Sequence, residues 1–178
     1  IYDCGAEVRL GAPHDGGYVV LRDFCQLAPA LYSYGIGDDV AFELDFIDRV
    51  PDCKGHLHDP TIECLPAVHE RFTFTRQGIG RGWQLPRRVP LNSFLKMDVE
   101  WSEWGAIMSF PTYPKDFLVS FSQVVVEFHV LRLGPPEGLS PYFRGLYRKL
   151  ADEMDNELFT MYHDVLRKMN RRFWCFHI

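Results

Sequence analysis

The chain contains 178 residues, of which 47% are apolar and 24% are charged, a size and composition typical of one soluble globular domain with a single core. Its formal net charge of −5 argues against a general nucleic-acid binder, because such proteins normally carry a surplus of basic residues. No apolar run is long enough to span a bilayer as a helix, and no signal peptide is visible, so the sequence predicts no membrane-spanning segment.

The first 29 residues contain the pattern of a β-hairpin. Two short stretches of strand-forming residues, VRLG at 8–11 and YVVL at 18–21, flank a turn-forming segment. Gly16 and Gly17 supply the backbone freedom that a tight turn between two antiparallel strands requires. We therefore predict an N-terminal hairpin ahead of the main core.

A strand, a glycine turn and a helix follow the hairpin. Residues 30–37 are a short apolar run that ends in glycines, which predicts a strand and a tight turn. Residues 38–49 carry a broad apolar stripe at helical spacing, with Asp38 or Asp39 placed to cap the helix. This order of elements is the first half of a βαβ unit.

Four more strands are predicted along the chain, at residues 54–61, 71–80, 93–100 and 123–131. The first of them ends at Asp59-Pro60, because proline cannot continue a central strand. The last of them is a β-branched apolar run, which is typical of a strand buried on both faces. Between the last two strands, residues 102–110 have the pattern of a helix.

The C-terminal part, residues 132–178, is predicted to contain helices followed by a terminal strand. Apolar side chains recur at helical spacing from 141 to 170, and residues 171–178 are rich in strand formers. If that segment is the sixth strand, an antiparallel seventh strand is expected after it. The alternation of strands and helices predicts a single α/β domain over residues 1–178, with a mostly parallel central sheet.

Five cysteines stand at positions 4, 25, 53, 64 and 175. None of them forms a CxxC pair and no histidine follows at zinc-finger spacing, so no structural zinc site is predicted. The odd count fits free buried thiols, or one or two disulfides with a cysteine left over. If the protein is secretory, Cys4 and Cys25 are the pair to test first, because a hairpin between them would bring both together.

Glycines and polar side chains are concentrated where the five main strands end. In an open parallel sheet, ligands bind at the carboxyl ends of the strands. In strand order these residues are Gly35 and Gly37, Asp59, Gln77 and Gly78, Asp98 and Glu100, and Glu127 and His129. Because the strands themselves are apolar, this concentration at one edge predicts a nucleotide-like ligand.

Each of these features also has a purely structural interpretation. A tight turn into a helix needs glycine whatever it binds, and Asp59 before a proline is a common turn residue. Asp98 and Glu100 alternate with apolar neighbours, as solvent-facing positions do. Glu127 and His129 would share a strand face, where a contact between them would satisfy a buried carboxylate.

Six segments together resemble the FkbM-like, class I S-adenosylmethionine-dependent methyltransferases. They are DGGYVV (15–20), LYSYGIGDDVAFE (31–43), HLHDPT (56–61), GIG (78–80), LKMDVEWSEW (95–104) and VVVEFHVL (124–131). They occur in the family's order, and FWCFHI (173–178) is a further match. The resemblance implies a Rossmann-like methyltransferase fold with the cofactor-binding core at residues 30–131.

The resemblance also implies roles for individual residues toward S-adenosylmethionine. Gly35 and Gly37, with the preceding Tyr34, would line the methionine end of the cofactor, and Asp59 would hold its ribose. Gln77 and Gly78 would lie near the adenine. Asp98 would lie beneath the methionine or the methyl acceptor.

The function that the resemblance implies is methyl transfer from S-adenosylmethionine, to an oxygen acceptor whose identity the sequence leaves open. Asp98, Glu100, Glu127 and His129 are the candidate groups for taking the acceptor's proton, with Asp98, Glu100 and His129 taken as the catalytic set, and no metal is predicted. A second interpretation is an inactive methyltransferase-like fold that serves as a structural or interaction subunit of a larger assembly, since Trp101 would narrow the acceptor space. An NAD-dependent oxidoreductase is disfavoured because the GxGxxG spacing is missing.

Overall fold

The computed structural model describes residues 7–14, 16–22, 27–80, 82–83, 86, 88–100, 102–109, 117, 119–127, 141 and 149. Its strands are β1 (Glu7–Leu10), β2 (Tyr18–Leu21), β3 (Ala30–Tyr34), β4 (Lys54–His58), β5 (Phe72–Thr75), β6 (Ser93–Met97) and β7 (Phe121–Val126). Its helices are α1 (Ala41–Arg49) and α2 (Glu103–Ser109). The predicted hairpin, the five predicted strands and both predicted helices of residues 8–131 are confirmed. The helices and strand predicted at 141–178, like Cys4, Cys25 and Trp101, lie outside the described residues, apart from positions 141 and 149.

Strands β3 to β7 form one parallel sheet in the order β5-β4-β3-β6-β7, while β1 and β2 pair with each other as an antiparallel hairpin. The predicted α/β class with a parallel sheet is therefore confirmed. The direction of strand addition reverses between β3 and β6, which are neighbours in the sheet but not in the chain. At such a switch point, the connections after the two strands diverge and leave a crevice at their carboxyl ends.

Within the described residues, the helices are too few to flank the whole sheet. Residues 59–71 connect β4 to β5 without a helix, and the described residues between β5 and β6 contain none either. None of the helices in the described part of the chain is long and apolar enough to cross a membrane.

Side chains alternate between the two faces of the sheet, and each face has its own cover. On one face, Tyr32, Leu95 and Val124 belong to a core that includes Ala106 of α2 and Phe117. On the other face, the buried partners of the sheet come from α1 and the hairpin: Phe42, Phe46, Leu10, Tyr18 and Val20. The hairpin is thus part of the core and not an appendage to it.

Side chains of other elements anchor the hairpin to the rest of the molecule. The Gly11 N–H donates to Asp45 Oδ2 at 2.9 Å, and the Leu21 N–H donates to Gln123 Oε1 at 3.2 Å. Among the described residues, no backbone hydrogen bond joins the hairpin to the five-stranded sheet. Within the described residues, apolar packing and a few polar side chains hold it in position.

Backbone hydrogen bonds continue past the last residue of each central strand. The Gly35 N–H donates to His58 O and the Asp98 N–H donates to Tyr34 O, both at 2.9 Å. The Glu127 N–H donates to Met97 O at 2.9 Å in the same way. These bonds hold Gly35, Asp98 and Glu127 side by side at the carboxyl edge of the sheet.

The close approach of β3 and β6 predicts a large difference between two glycine substitutions. Gly35 has φ of +80°, and a Cβ there would overlap the Asp98 carbonyl oxygen. Gly37 has φ of +58°, but a Cβ there meets nothing within 4 Å. We expect Gly35→Ala to lower the free energy of unfolding by more than about 3 kcal/mol, and the control Gly37→Ala by about 1 kcal/mol. Urea titration measures both, and equal losses would contradict the described packing.

Candidate functional site

A cleft of about 680 Å³ lies at the carboxyl edge of the sheet. Its walls come from four places: the hairpin turn at Gly16, the segment from Gly35 into α1, the ends of β4, β6 and β7, and residues around Gly78. This volume is in the range of small-molecule sites, roughly 300–1,000 Å³. The cleft coincides with the switch point between β3 and β6, where a parallel sheet is expected to bind its ligand.

The glycine turn Gly35-Ile36-Gly37 forms one side of this cleft. Gly35 is pressed against the backbone of the residues just after β6, whereas Gly37 is exposed and has open space where a side chain would stand. A ligand can therefore approach the backbone at Gly37 closely. The helix that follows has Val40 as its N-cap, without a side-chain hydrogen bond at that position, so the predicted cap at Asp38 or Asp39 is not the one that the structure describes. Asp39 Oδ1 instead accepts the Ala41 N–H at 2.8 Å from just ahead of the cap.

Asp59, directly after β4, is buried and accepts four hydrogen bonds. Its Oδ2 accepts the N–H groups of Ile36 and Gly37, both at 2.9 Å. Its Oδ1 accepts the Thr61 N–H at 2.7 Å and the Thr61 hydroxyl at 2.6 Å. Burial acts to raise the pKa of this carboxyl, but the four donors outweigh burial and lower it to about 2. Asp59 is thus a permanent anion that joins the end of β4 to the glycine turn.

Lys96 of β6 is a buried cation beneath the same turn. Only 6% of its side chain is exposed, and its Nζ donates to Gly35 O at 2.8 Å. Two carboxylate oxygens lie slightly farther away, Glu43 Oε1 at 3.8 Å and Asp98 Oδ2 at 3.7 Å. The Ser33 hydroxyl donates to Glu43 Oε1 at 2.5 Å. The desolvation cost of these charges is offset because every one of them has a partner.

Tyr18 connects the hairpin to the carboxylates at the floor of the cleft. Its hydroxyl lies 2.7 Å from Asp98 Oδ2 and 2.7 Å from Glu127 Oε2. Burial and the two neighbouring carboxylates raise the pKa of Tyr18 far above its ordinary value, so the hydroxyl keeps its proton. Because it has one hydrogen to donate, it can serve only one carboxylate at a time. The other carboxylate remains able to accept a proton from elsewhere.

Carboxylates dominate the electrostatics of the cleft. Of the described residues that line it, seven are acidic and one, Lys96, is basic. The acidic residues are Asp38, Asp39, Glu43, Asp59, Asp98, Glu100 and Glu127. No group of three or more His, Cys, Asp or Glu side chains in the described part of the chain is arranged to hold a metal ion. The charge of the cleft therefore favours an organic cation over an anionic ligand.

The structure brings six of the nine predicted site residues to the cleft wall and places two others, Tyr34 and Gln77, away from it. Gly35, Gly37, Asp59, Gly78, Asp98 and Glu100 all line the cleft. Glu100 has φ of +46°, an uncommon conformation for a residue with a side chain. Tyr34 and Gln77 do not line it: the Tyr34 ring is buried and stacks on His58 with 4.5 Å between ring centroids. His129 lies outside the described residues.

Three residues of the site were not predicted from the sequence: Tyr18, Glu43 and Lys96. Lys96 and Glu43 each carried a usable signal, a charged residue inside an otherwise apolar strand or helix stripe. Tyr18 carried none, because its partners lie 80 and 109 residues away in the chain. Glu127 was weighed for a contact with His129; the contact that the structure describes is with Tyr18.

His58, the residue before Asp59, is also buried but has far fewer hydrogen-bond partners than Asp59. Its Nδ1 lies 3.4 Å from Gln77 Nε2, and its Nε2 has no hydrogen-bond partner among the described residues. Burial, with a smaller contribution from the neighbouring His56, lowers the pKa of His58 to about 4. The ring is therefore neutral at physiological pH.

Comparison with protein-family models, with curated proteins and with solved structures finds no match for this chain. A functional assignment therefore has to come from the geometry and charge of the cleft.

The buried network around Lys96 predicts a strong dependence of stability on this one cation. Lys96→Met would leave Glu43 buried without its cation, so we expect the free energy of unfolding to fall by about 3–5 kcal/mol. The double variant Lys96→Met/Glu43→Gln should recover part of that loss because it removes the uncompensated charge. Urea titration of both, with the exposed Lys54→Met as control, checks this. A double variant no more stable than the single one would contradict it.

The low pKa of His58 predicts acid sensitivity in a defined pH window. The unfolded chain, with the ordinary histidine pKa of 6.5, binds a proton before the folded chain does. The free energy of unfolding should therefore decrease between about pH 6.5 and pH 4, by up to about 3 kcal/mol. His58→Phe keeps the stacked ring and should flatten this decrease, whereas the exposed His14→Gln should leave it unchanged. A His58→Phe profile that overlays that of the wild type would refute the low pKa of His58.

The stabilisation that comes from the low pKa of Asp59 is lost at lower pH, between about pH 4 and pH 2.

Proposed function

We propose that the protein binds S-adenosylmethionine in the cleft and transfers its methyl group to an oxygen acceptor. The observation that carries this proposal is the cleft at the β3–β6 switch point, lined by seven carboxylates and one ammonium group. S-adenosylmethionine combines a nucleoside with a sulfonium, an ammonium and a carboxylate, so its net charge is positive. Dinucleotides such as NAD carry phosphates, and a cleft with this excess of carboxylates would repel them.

The architecture supports the same cofactor. The strand order β5-β4-β3-β6-β7 corresponds to the first five strands of the doubly wound 3-2-1-4-5 arrangement, so we infer a Rossmann-like fold of the class I methyltransferase kind. The cleft volume of about 680 Å³ suits a nucleoside-sized ligand together with part of an acceptor. The open backbone at Gly37 supplies a close contact surface, whereas Gly78 lies under the Trp83 ring, whose Nε1 is 3.0 Å from the position that a Cβ would occupy.

Two groups of residues would hold the cofactor in this proposal. Gly35, Gly37 and Asp98 would lie along its methionine part, and Gly78, with Gln77 behind it, along the adenine. Asp59 would contribute indirectly near the ribose: four protein donors already fill the lone pairs of its carboxylate, so it fixes the turn against which the ribose lies.

The bound cofactor supplies an electrophilic methyl group; the chain itself has to position an acceptor and take its proton. Asp98 is the leading proton acceptor because 22% of its side chain is exposed at the cleft and the Tyr18 hydroxyl fixes its orientation. Glu127 shares that hydroxyl, so either carboxylate can take a proton while the other keeps the hydrogen bond. Glu100 lies at the cleft mouth and is the second candidate.

The charge argument is tested by comparing two ligands that differ by one positive charge. S-adenosylhomocysteine lacks the sulfonium, so a variant that removes one carboxylate should affect it less than S-adenosylmethionine. We expect Asp98→Asn to weaken binding of S-adenosylmethionine about fivefold and that of S-adenosylhomocysteine less than about twofold. Isothermal titration calorimetry measures both, with Asp48→Asn, an exposed carboxylate outside the cleft, as control.

Two results would decide against the proposal. If the wild-type chain binds neither S-adenosylmethionine nor S-adenosylhomocysteine, the cofactor assignment is wrong. Binding of both ligands without methyl transfer to any tested acceptor would favour the alternative of an inactive fold that serves as a subunit.

A further inference from the structure

The four donors around Asp59 have the geometry of an anion-binding site. The consecutive N–H groups of Ile36 and Gly37 converge on one oxygen, and the Thr61 N–H and hydroxyl converge on the other. Consecutive backbone N–H groups at a glycine turn before a helix are the feature with which many nucleotide-binding proteins hold phosphate. In this chain, a side-chain carboxylate already occupies that position.

The occupant cannot readily be displaced. Asp59 is 4% exposed, and all four of its hydrogen bonds are between 2.6 and 2.9 Å. A phosphate entering the turn would have to remove these donors from a covalently attached anion and then lie beside that anion. Asp38 and Asp39, which line the cleft next to the turn, would add further repulsion.

We propose that Asp59 is an internal substitute for phosphate, which makes the cleft select a nucleoside without phosphate groups over a nucleotide. Asp59 is then the specificity-determining residue of the site. The inference deepens the proposed function, because it concerns the same cleft, but it makes a claim about phosphate that does not depend on methyl transfer.

The first test uses a small anion to replace the missing carboxylate. Asp59→Ala keeps the Cβ and removes the carboxylate, so the vacated donors should bind sodium formate or inorganic phosphate. We expect either salt to raise the melting temperature of Asp59→Ala by at least about 3 °C more than that of the wild type, with sodium chloride as the ionic-strength reference. Asp45→Ala also loses a carboxylate that accepts a backbone N–H, outside the turn, and should show no such difference. Equal shifts in Asp59→Ala and the wild type would overturn the proposal.

The second test compares adenosine with ADP, which differ only in phosphate groups. We expect the wild-type chain to bind ADP at least about tenfold more weakly than adenosine, and Asp59→Ala to reduce or reverse that difference. If Asp59→Ala does not fold, Asp59→Asn replaces it, since it keeps the shape of the side chain and removes its charge. The proposal is wrong if wild-type binding of ADP equals or exceeds that of adenosine, if the wild type binds neither, or if the variant keeps the wild-type ratio.

The two proposals fail separately. A wild-type chain that prefers adenosine over ADP but does not bind S-adenosylhomocysteine would refute the cofactor assignment and support the role of Asp59. A chain that binds S-adenosylhomocysteine but does not prefer adenosine over ADP would support the cofactor assignment and refute the role of Asp59.

Discussion

The peptide group between Gly35 and Ile36 is held between two opposite charges, and the cleft depends on that arrangement. The Lys96 ammonium donates to its carbonyl oxygen at 2.8 Å, and the Asp59 carboxylate accepts its N–H at 2.9 Å. Charge-assisted hydrogen bonds at both ends of one peptide align its dipole with the local field and hold it rigidly. Three strands are joined at this point, because Gly35 follows β3, Asp59 follows β4 and Lys96 belongs to β6.

The same arrangement explains why so many carboxylates can lie together. Lys96 is shared among Gly35, Glu43 and Asp98, and the donors of the turn neutralise the effect of burying Asp59. The remaining acidic groups at the cleft have access to solvent or to the Tyr18 hydroxyl. Their negative potential is therefore directed into the cleft, where a cationic ligand would meet it, and not into the core.

Local sequence patterns predicted the strands and helices of the described residues up to position 127 and part of the lining of the cleft. Alternation and helical spacing located seven strands and two helices, because those patterns reflect burial of neighbouring residues in the chain. Once the strands are located, the rule that the carboxyl ends of parallel strands share one edge places Asp59, Asp98 and Glu127 at that edge. It could not identify their partners, since the hydrogen bonds of Tyr18 and Lys96 join residues that are far apart in sequence. Tyr34 was predicted to line the site because it precedes the glycine turn, but strand alternation directs its side chain into the core.

The hairpin is held by side chains of other elements, and this affects the order in which the parts of the chain fold. Three of the side chains that receive it, Asp98, Gln123 and Glu127, belong to β6, β7 and the residues just after them, whereas the hairpin precedes both strands in the chain and is synthesised before them. During translation the hairpin therefore has no complete docking surface until most of the sheet has left the ribosome. Contacts of such long sequence separation form late, because the entropy of closing the intervening loop has to be overcome first. The wall of the cleft that carries Tyr18 is thus expected to be completed last, and a chain that has not yet added β7 would lack a closed site.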